Sequence, residues 1–311
     1  MALNRTPASD VRATLFTRSD QTVDMSELDG ETRDIDVDGS TVRCHVAGPE
    51  DAPPVVLVHG AGLDAAGVSW KKTFPALAGS YRVIAPDLPG DGGSDRVPRT
   101  VAPTVEFYVG VLDTLLTELD LVEATLVGIS KGGGIALGYT LDHPNRVRRL
   151  VLVDSYGLGD LVPGGRKAAV MIKIPKLLEI SWWAMKRSRK MTKASLGNVA
   201  LPENIDEEFV DDVYRELRRP NSGDAYFRFA RGELHLSGPR TNYFDRLSEI
   251  PVETLFVHGK NDPLIPLKFS KRAADEAPVA DLFTLEQCGH WVPRECPEAF
   301  ISRLQAWLEK S

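Results

Sequence analysis

The sequence predicts an α/β domain with a mainly parallel sheet and helices on both faces, and three observations carry that prediction. Short apolar runs rich in β-branched residues, such as Pro54-Val55-Val56-Leu57-Val58, suit strands buried on both faces. Helical stretches alternate with these runs, which calls for parallel strands joined by crossover helices. A serine in Gly128-Ile129-Ser130-Lys131-Gly132 directly follows the apolar run Leu126-Val127, giving the order strand, sharp bend, helix.

In chain order, residues 1–30 are polar and acidic and read as a segment mobile or loosely docked. Thr32–Val37 and Thr41–Val46 flank Asp38-Gly39, a hairpin with a tight turn. Strands follow at Pro54–Val58, Arg82–Ala85, Leu126-Val127, Leu150–Val153, Thr254–Val257 and Asp281–Leu285, with helices near 69–79, 104–119, 131–142, 267–277 and 296–309. Alternation breaks between the strand ending near Val153 and the one starting near Val252. An interval of roughly a hundred residues exceeds any ordinary connection and predicts a folded insertion. The organisation expected is a polar segment over 1–30, a core over 31–155 and 246–311, and a helical insertion over 156–245. With 311 residues and 42% hydrophobic content, the chain can bury one such core.

The bend at Ser130 forces its residue into a strained conformation that exposes the hydroxyl above the sheet, and the flanking glycines avoid collisions there. Serine is a poor nucleophile at neutral pH, so it needs a base, and its base needs an orienting acid. His290, in Cys288-Gly289-His290-Trp291 after a strand, is the expected base. Asp262, in the loop after Thr254–Val257, stands where the α/β-hydrolase fold family, which this strand–elbow–helix order resembles, places its triad acid. That resemblance makes it the expected acid, with Asp154 at the end of Leu150–Val153, where some relatives place it, as its rival. The loop His59-Gly60-Ala61-Gly62 at a strand end can offer backbone donors to an oxyanion, and the N–H groups of Ala61 and Lys131 are assigned that role. Gly60, Gly62, Ile129, Trp291 and Arg166 are the expected pocket residues. His59 and His258 are read as orienting loops by hydrogen bonding. Cys288 is read as packing beside His290.

These motifs, in this order, resemble the α/β-hydrolase fold family from about residue 31 to the C-terminus. Asp87-Leu88-Pro89-Gly90-Asp91-Gly92-Gly93-Ser94 is similar to that family's D-x-x-G-x-G-x-S turn, a structural element in which Asp87 has no catalytic part. The resemblance implies an eight-stranded sheet, a Ser-Asp-His chain order for the triad and a helical cap over the site. Serine at the elbow disfavours the haloalkane dehalogenase and epoxide hydrolase branches, which use aspartate there. Cys288-Gly289-His290-Trp291 and Ser155-Tyr156-Gly157-Leu158-Gly159 resemble the meta-cleavage product hydrolases, which break C–C bonds. Those enzymes usually read G-N-S-M-G-G, where this chain has Ile129 and Lys131, and G-G-P-G where it has Gly60-Ala61-Gly62-Leu63. On these departures the sequence ranks hydrolysis of a small carboxylic ester, lactone or thioester first. C–C hydrolysis of a 2-hydroxy-6-oxo-dienoate comes second, and a non-catalytic ligand receptor on the same fold is the reading from another class.

The insertion carries a second feature. From Arg166 to Lys193 there are nine basic residues (Arg166, Lys167, Lys173, Lys176, Lys186, Arg187, Arg189, Lys190 and Lys193) against Glu179 alone, a local +8 in a chain of net −7, which leaves −15 elsewhere. Ile172, Leu178, Ile180, Trp182, Trp183 and Met185 are interleaved with them. The favoured reading is an apolar cap core with solvated charges; contact with an anionic membrane surface is the other. A small-molecule substrate is expected, of a kind that could bear a carboxylate for Arg166 or another cap base, and no nucleic acid. Oligomeric state is not legible, although exposed apolar cap surface would suit a dimer. The histidines and cysteines lack metal-ligand spacing, and Gly132-Gly133-Gly134 lacks a dinucleotide layout, so no metal and no cofactor are expected. Three scattered cysteines, Cys44, Cys288 and Cys296, and a start without an apolar leader lead to the expectation of a cytoplasmic protein.

Overall fold

The structure, a computed structural model, describes residues 30–310. The polar segment expected over 1–30 therefore lies outside the described residues, save Gly30. Strands β1 (Glu31–Val37) and β2 (Ser40–Ala47) form the expected hairpin, with Val37 opposite Ser40. Asp38 and Gly39 both take positive φ, 52° and 78°, the geometry of a two-residue turn whose twist matches its strands.

Then come β3 (Pro54–Val58), two short helices α1 (Ala66–Ser69) and α2 (Thr73–Leu77), and β4 (Arg82–Pro86). A single helix over 69–79 was expected here. Pro75 explains the difference: it has no N–H for the carbonyl four residues back, so it fits only a first turn, and α2 starts just before it. Helix α3 (Val105–Glu118) is capped by Thr104, whose side chain accepts from Phe107 N–H. Next are β5 (Ala124–Ile129), α4 (Lys131–Asp142) and β6 (Val147–Val153).

Between β6 and the next long strand stand α5 (Gly165–Lys173), α6 (Leu177–Arg187), α7 (Arg189–Leu196), α8 (Glu207–Leu217) and α9 (Asp224–Glu233), then a two-residue ladder of β7 (Leu234–His235) and β8 (Gly238–Pro239). The chain closes with β9 (Thr254–Gly259), α10 (Leu267–Glu276), β10 (Ala280–Leu285), α11 (Val292–Glu295) and α12 (Pro297–Leu308). The sheet has eight strands in the order β1-β2-β4-β3-β5-β6-β9-β10. Only the β1–β2 and β2–β4 pairings are antiparallel.

Alternate strand residues feed two cores. Val56, Val58, Leu126, Leu150 and Phe256 pack with α3, α4 and α10 on one face; Val55, Leu57, Val127, Val151 and Leu255 pack with Trp70, Phe74, Phe300 and Trp307 on the other. Burial on both faces is why these strands read as continuous apolar runs rather than alternating ones.

Buried polar contacts tie the helical interval to the sheet. Asp212 of α8 accepts from Lys71 Nζ at 2.9 Å and from Arg294 Nη1 at 3.1 Å. Glu233 at the end of α9 accepts from Val105 N–H at 2.9 Å and from Tyr156 Oη at 3.1 Å. Removing one partner of such a buried group leaves a desolvated charge, so each contact fixes where the helices sit over the sheet.

Candidate active site

Ser130 lies between β5 and α4 with φ 52° and ψ −119°, a backbone region costing on the order of 1–3 kcal/mol for a non-glycine residue. Its N–H donates to Val153 O at 2.9 Å, and its carbonyl accepts from Gly134 N–H at 3.1 Å and Tyr156 N–H at 3.0 Å, which hold the strained bend. The glycines beside it are required by space. A Cβ on Gly128 would lie 2.3 Å from Gly132 O, and one on Gly132 would lie 2.2 Å from Val58 O.

His290 Nδ1–H donates to Asp262 Oδ2 at 2.7 Å, and Nε2 makes no hydrogen bond among the described residues. Burial opposes ionisation of Asp262. The charge and hydrogen bond of His290, with His258 and Ile265 N–H, outweigh it and hold the carboxyl below its ordinary value. Asp262 Oδ1 also accepts from Leu264 N–H at 2.7 Å. The rival Asp154 is fully buried, accepts from Gly259 N–H at 2.9 Å, and is pushed well above the carboxylate range by burial and by the charge of Asp262. The two shifts run in opposite directions, and it is Asp262 that His290 touches.

His59 and His258 orient loops. His59 Nδ1–H donates to Gly60 O at 3.0 Å while Nε2 accepts from Leu88 N–H at 2.9 Å. His258 Nε2–H donates to Ile265 O at 2.9 Å and Nδ1 accepts from Ser270 Oγ at 2.8 Å. Burial drives both imidazoles towards the neutral form these bonds require.

Two supports escaped sequence reading. Asp64 accepts from Gly60 N–H at 2.6 Å, Ala65 N–H at 2.8 Å and Ser69 Oγ at 2.7 Å, and Ser69 Oγ in turn accepts from Trp291 Nε1–H at 2.7 Å. One chain of hydrogen bonds thus joins the His59–Gly62 loop to the residue after His290. Glu295 accepts from Gly289 N–H and Trp291 N–H, each at 2.9 Å, and from Leu201 N–H at 2.8 Å, so it folds the loop on both sides of His290. Neither acid belongs to a spacing pattern that would single it out.

A cavity of about 470 Å³ opens over Ser130. Gly60, Ala61, Gly62, Ile129, Lys131, His290 and Trp291 line it with Ser130, so nearly all the expected residues meet there. Neither Ala61 N–H nor Lys131 N–H donates to an acceptor among the described residues. Asp262 stands behind His290. Arg166 is the exception: it is exposed on α5 and does not line the cavity. The far wall comes from the helical interval, with Met171, Leu178, Trp182, Met185, Tyr226 and Phe229. Trp182 and Tyr226 stack with ring centroids 5.7 Å apart. Lys131 is the one lysine or arginine among the lining residues. Its ammonium is buried 3.2 Å from Asp91 Oδ2 and 4.5 Å from the Tyr108 ring centroid.

Among the described residues no helix is long and apolar enough to cross a membrane. The sequence profile of a family described as alpha/beta hydrolase fold matches residues 53–295. The chain is 33% identical over 270 residues to 2-hydroxymuconate semialdehyde hydrolase of Pseudomonas sp. (strain CF600), covering 83% of this chain and 87% of that protein. It is 32% identical over 263 residues to 2-hydroxy-6-oxo-2,4-heptadienoate hydrolase of Pseudomonas putida, covering 82% and 88%. Among solved structures, a variant of the meta-cleavage product hydrolase from Pseudomonas fluorescens IP01 superposes with a TM-score of 0.75 at 26% identity, covering 89% of this chain and 97% of that one. The 2-hydroxy-6-oxo-6-phenylhexa-2,4-dienoate hydrolase of Rhodococcus sp. strain RHA1 gives 0.73 at 25%, covering 89% and 98%.

Proposed function

The chain belongs to the alpha/beta hydrolase fold family, a family of hydrolytic enzymes, and on that premise we propose that it cleaves a C–C bond in a 2-hydroxy-6-oxo-dienoate. The observation that carries this reading is the run of relatives named for such substrates, at 32–33% identity across more than four fifths of the chain, cap included. It reverses the order that Ile129 and Lys131 suggested from sequence alone.

The chemistry suits the residues present. Tautomerisation of the dienol moves a proton to C5, so that the electrons of the C5–C6 bond can later pass through the conjugated system to the 2-oxo group. His290 takes the Ser130 proton as the hydroxyl oxygen adds to the C6 carbonyl, and Asp262 stabilises the imidazolium without taking the proton. The N–H groups of Ala61 and Lys131 bind the oxyanion, aided by the N-terminus of α4. Collapse breaks C5–C6, and the dienolate oxygen that receives the electrons takes the proton from the His290 imidazolium. The acyl group left on Ser130 is released as the acid by a water that the regenerated His290 activates.

The substrate carboxylate needs a cation, and Arg166 is exposed and does not line the cavity. Lys131, the basic residue among those that line the cavity, is the candidate, its buried ammonium held 3.2 Å from Asp91 Oδ2. An ammonium has three donors, and Asp91 takes one.

Ester hydrolysis is the second reading, favoured by the apolar far wall of Met171, Leu178, Trp182 and Met185, which suits a neutral acyl chain. Incubation with 2-hydroxy-6-oxo-2,4-heptadienoate tests the choice. C–C cleavage yields acetate and 2-hydroxypenta-2,4-dienoate, and neither should form with Ser130→Ala. Turnover of p-nitrophenyl butyrate with the dienoate untouched would transfer the assignment to the ester.

A further inference from the structure

The outer face of the helical insertion is not used by the chemistry above. Ile180, Trp183 and Arg187 recur at intervals of three and four along α6 and form one outward stripe, with Lys176, also exposed, at the N-cap. Ile180 is 61% exposed and Trp183 58% exposed, with the Arg187 guanidinium 4.1 Å from the Trp183 ring centroid. The inward stripe of the same helix, Leu178, Trp182 and Met185, lines the cavity. The neighbouring α5 repeats the pattern with Arg166, Val170 and Lys173 on its exposed side.

The charges on this face are largely uncommitted. Arg189 and Lys193 pair with Glu207. Arg166, Lys167, Lys173, Lys176, Arg187 and Lys190 form no salt bridge among the described residues, although Lys173 Nζ donates to Arg231 O at 3.2 Å and the charge of Lys176 helps to hold Glu179 low. Because the segment is +8 and the remainder −15, the chain is strongly polarised. Met171 and Ser181 are both exposed and both line the cavity, so the cavity opens on this same side.

We propose that the outer face of α5 and α6 is a docking surface for an anionic lipid bilayer, with the mouth of the cavity opening against it. Exposed Ile180, Val170 and Trp183 enter the headgroup region, where an indole is at home, while the surrounding lysines and arginines attract anionic lipid. The acidic remainder is repelled by the same surface and turns the basic face towards it. An amphiphilic substrate would then pass from the bilayer into the site. The surface stands independently of which bond Ser130 breaks.

Co-sedimentation of the full chain with extruded vesicles tests this. Binding is expected to phosphatidylglycerol–phosphatidylcholine vesicles at low salt, with little to phosphatidylcholine alone, and to weaken as salt is raised. Each surface cation contributes about fivefold to partitioning, so Lys176→Glu with Arg187→Glu should weaken binding at least about twentyfold. Trp183→Ala should weaken it as well, and turnover of soluble substrate by these variants should match the parent, which shows that they are folded. Absence of binding to the anionic vesicles, equal binding to the neutral ones, or unchanged binding by the double variant would overturn the proposal. So would a stable dimer that buries this face against the acidic body of a second copy and is dissociated by the same two substitutions.

Discussion

Lys131 stands one residue past the elbow serine with its ammonium 3.2 Å from Asp91 Oδ2, and both side chains are buried. Truncating the lysine alone would strand a buried carboxylate, costing about 3–5 kcal/mol, so the informative variant neutralises both members. Lys131→Met with Asp91→Asn is expected to raise KM for the dienoate at least about tenfold while kcat/KM for p-nitrophenyl butyrate stays within about threefold. Equal losses on both substrates would make the pair structural.

Asp262 and Asp154 are separated by opposite pKa directions and by the hydrogen bond that His290 gives to Asp262 alone. Asp262→Asn removes the acceptor that fixes the His290 tautomer and should lower kcat by about 10⁴-fold. Burial and the charge of Asp262 push the Asp154 carboxyl up, and it is Asp262 rather than Asp154 that His290 bonds, so Asp154→Asn, which keeps its shape, should leave kcat within about tenfold. Steady-state kinetics of the two variants decide it.

The path from Trp291 through Ser69 to Asp64 predicts a coupled loss. Ser69→Ala leaves the Trp291 indole N–H without its acceptor and removes one of three donors to Asp64, costing about 1–3 kcal/mol. Asp64 keeps Gly60 N–H but loses the hydroxyl that fixes its carboxylate under the His59–Gly62 loop, so kcat should fall about tenfold with KM little changed. A thermal melt with single-turnover kinetics would register both.

Acid stability follows from Asp87. Burial raises its pKa, but the hydrogen bond and charge of His45 and the Gly93 N–H outweigh that and bring it down to about 2. A depressed carboxylate adds stability above its unfolded value of 3.8 and loses it as pH falls through about 2, a contribution of roughly 2 kcal/mol. Asp87→Asn should lower the denaturation midpoint at pH 6 and flatten its fall between pH 4 and 2.

Ser130, Asp262, His290 and the glycine loop were legible because each follows a strand whose apolar run marks its own end. Arg166 was misplaced because sequence gives its charge but not which side of α5 it occupies, and the structure turns it outward. Pro75 was present in the sequence, yet the continuous pattern around it concealed that it begins a second helix. Asp64 and Glu295 act through backbone N–H groups, and backbone partners leave no trace in residue type. The cap wall was legible only as composition. Leu178, Trp182 and Met185 separate from Ile180 and Trp183 once α6 has defined ends and a neighbour to pack on.

The most direct test of C–C hydrolysis by Ser130 is the ratio of kcat/KM for 2-hydroxy-6-oxo-2,4-heptadienoate to that for p-nitrophenyl butyrate, measured on the same preparation. A ratio of about 10² or more, with both activities abolished in Ser130→Ala, is the expected result. A ratio below one, or dienoate turnover that survives in Ser130→Ala, would contradict it.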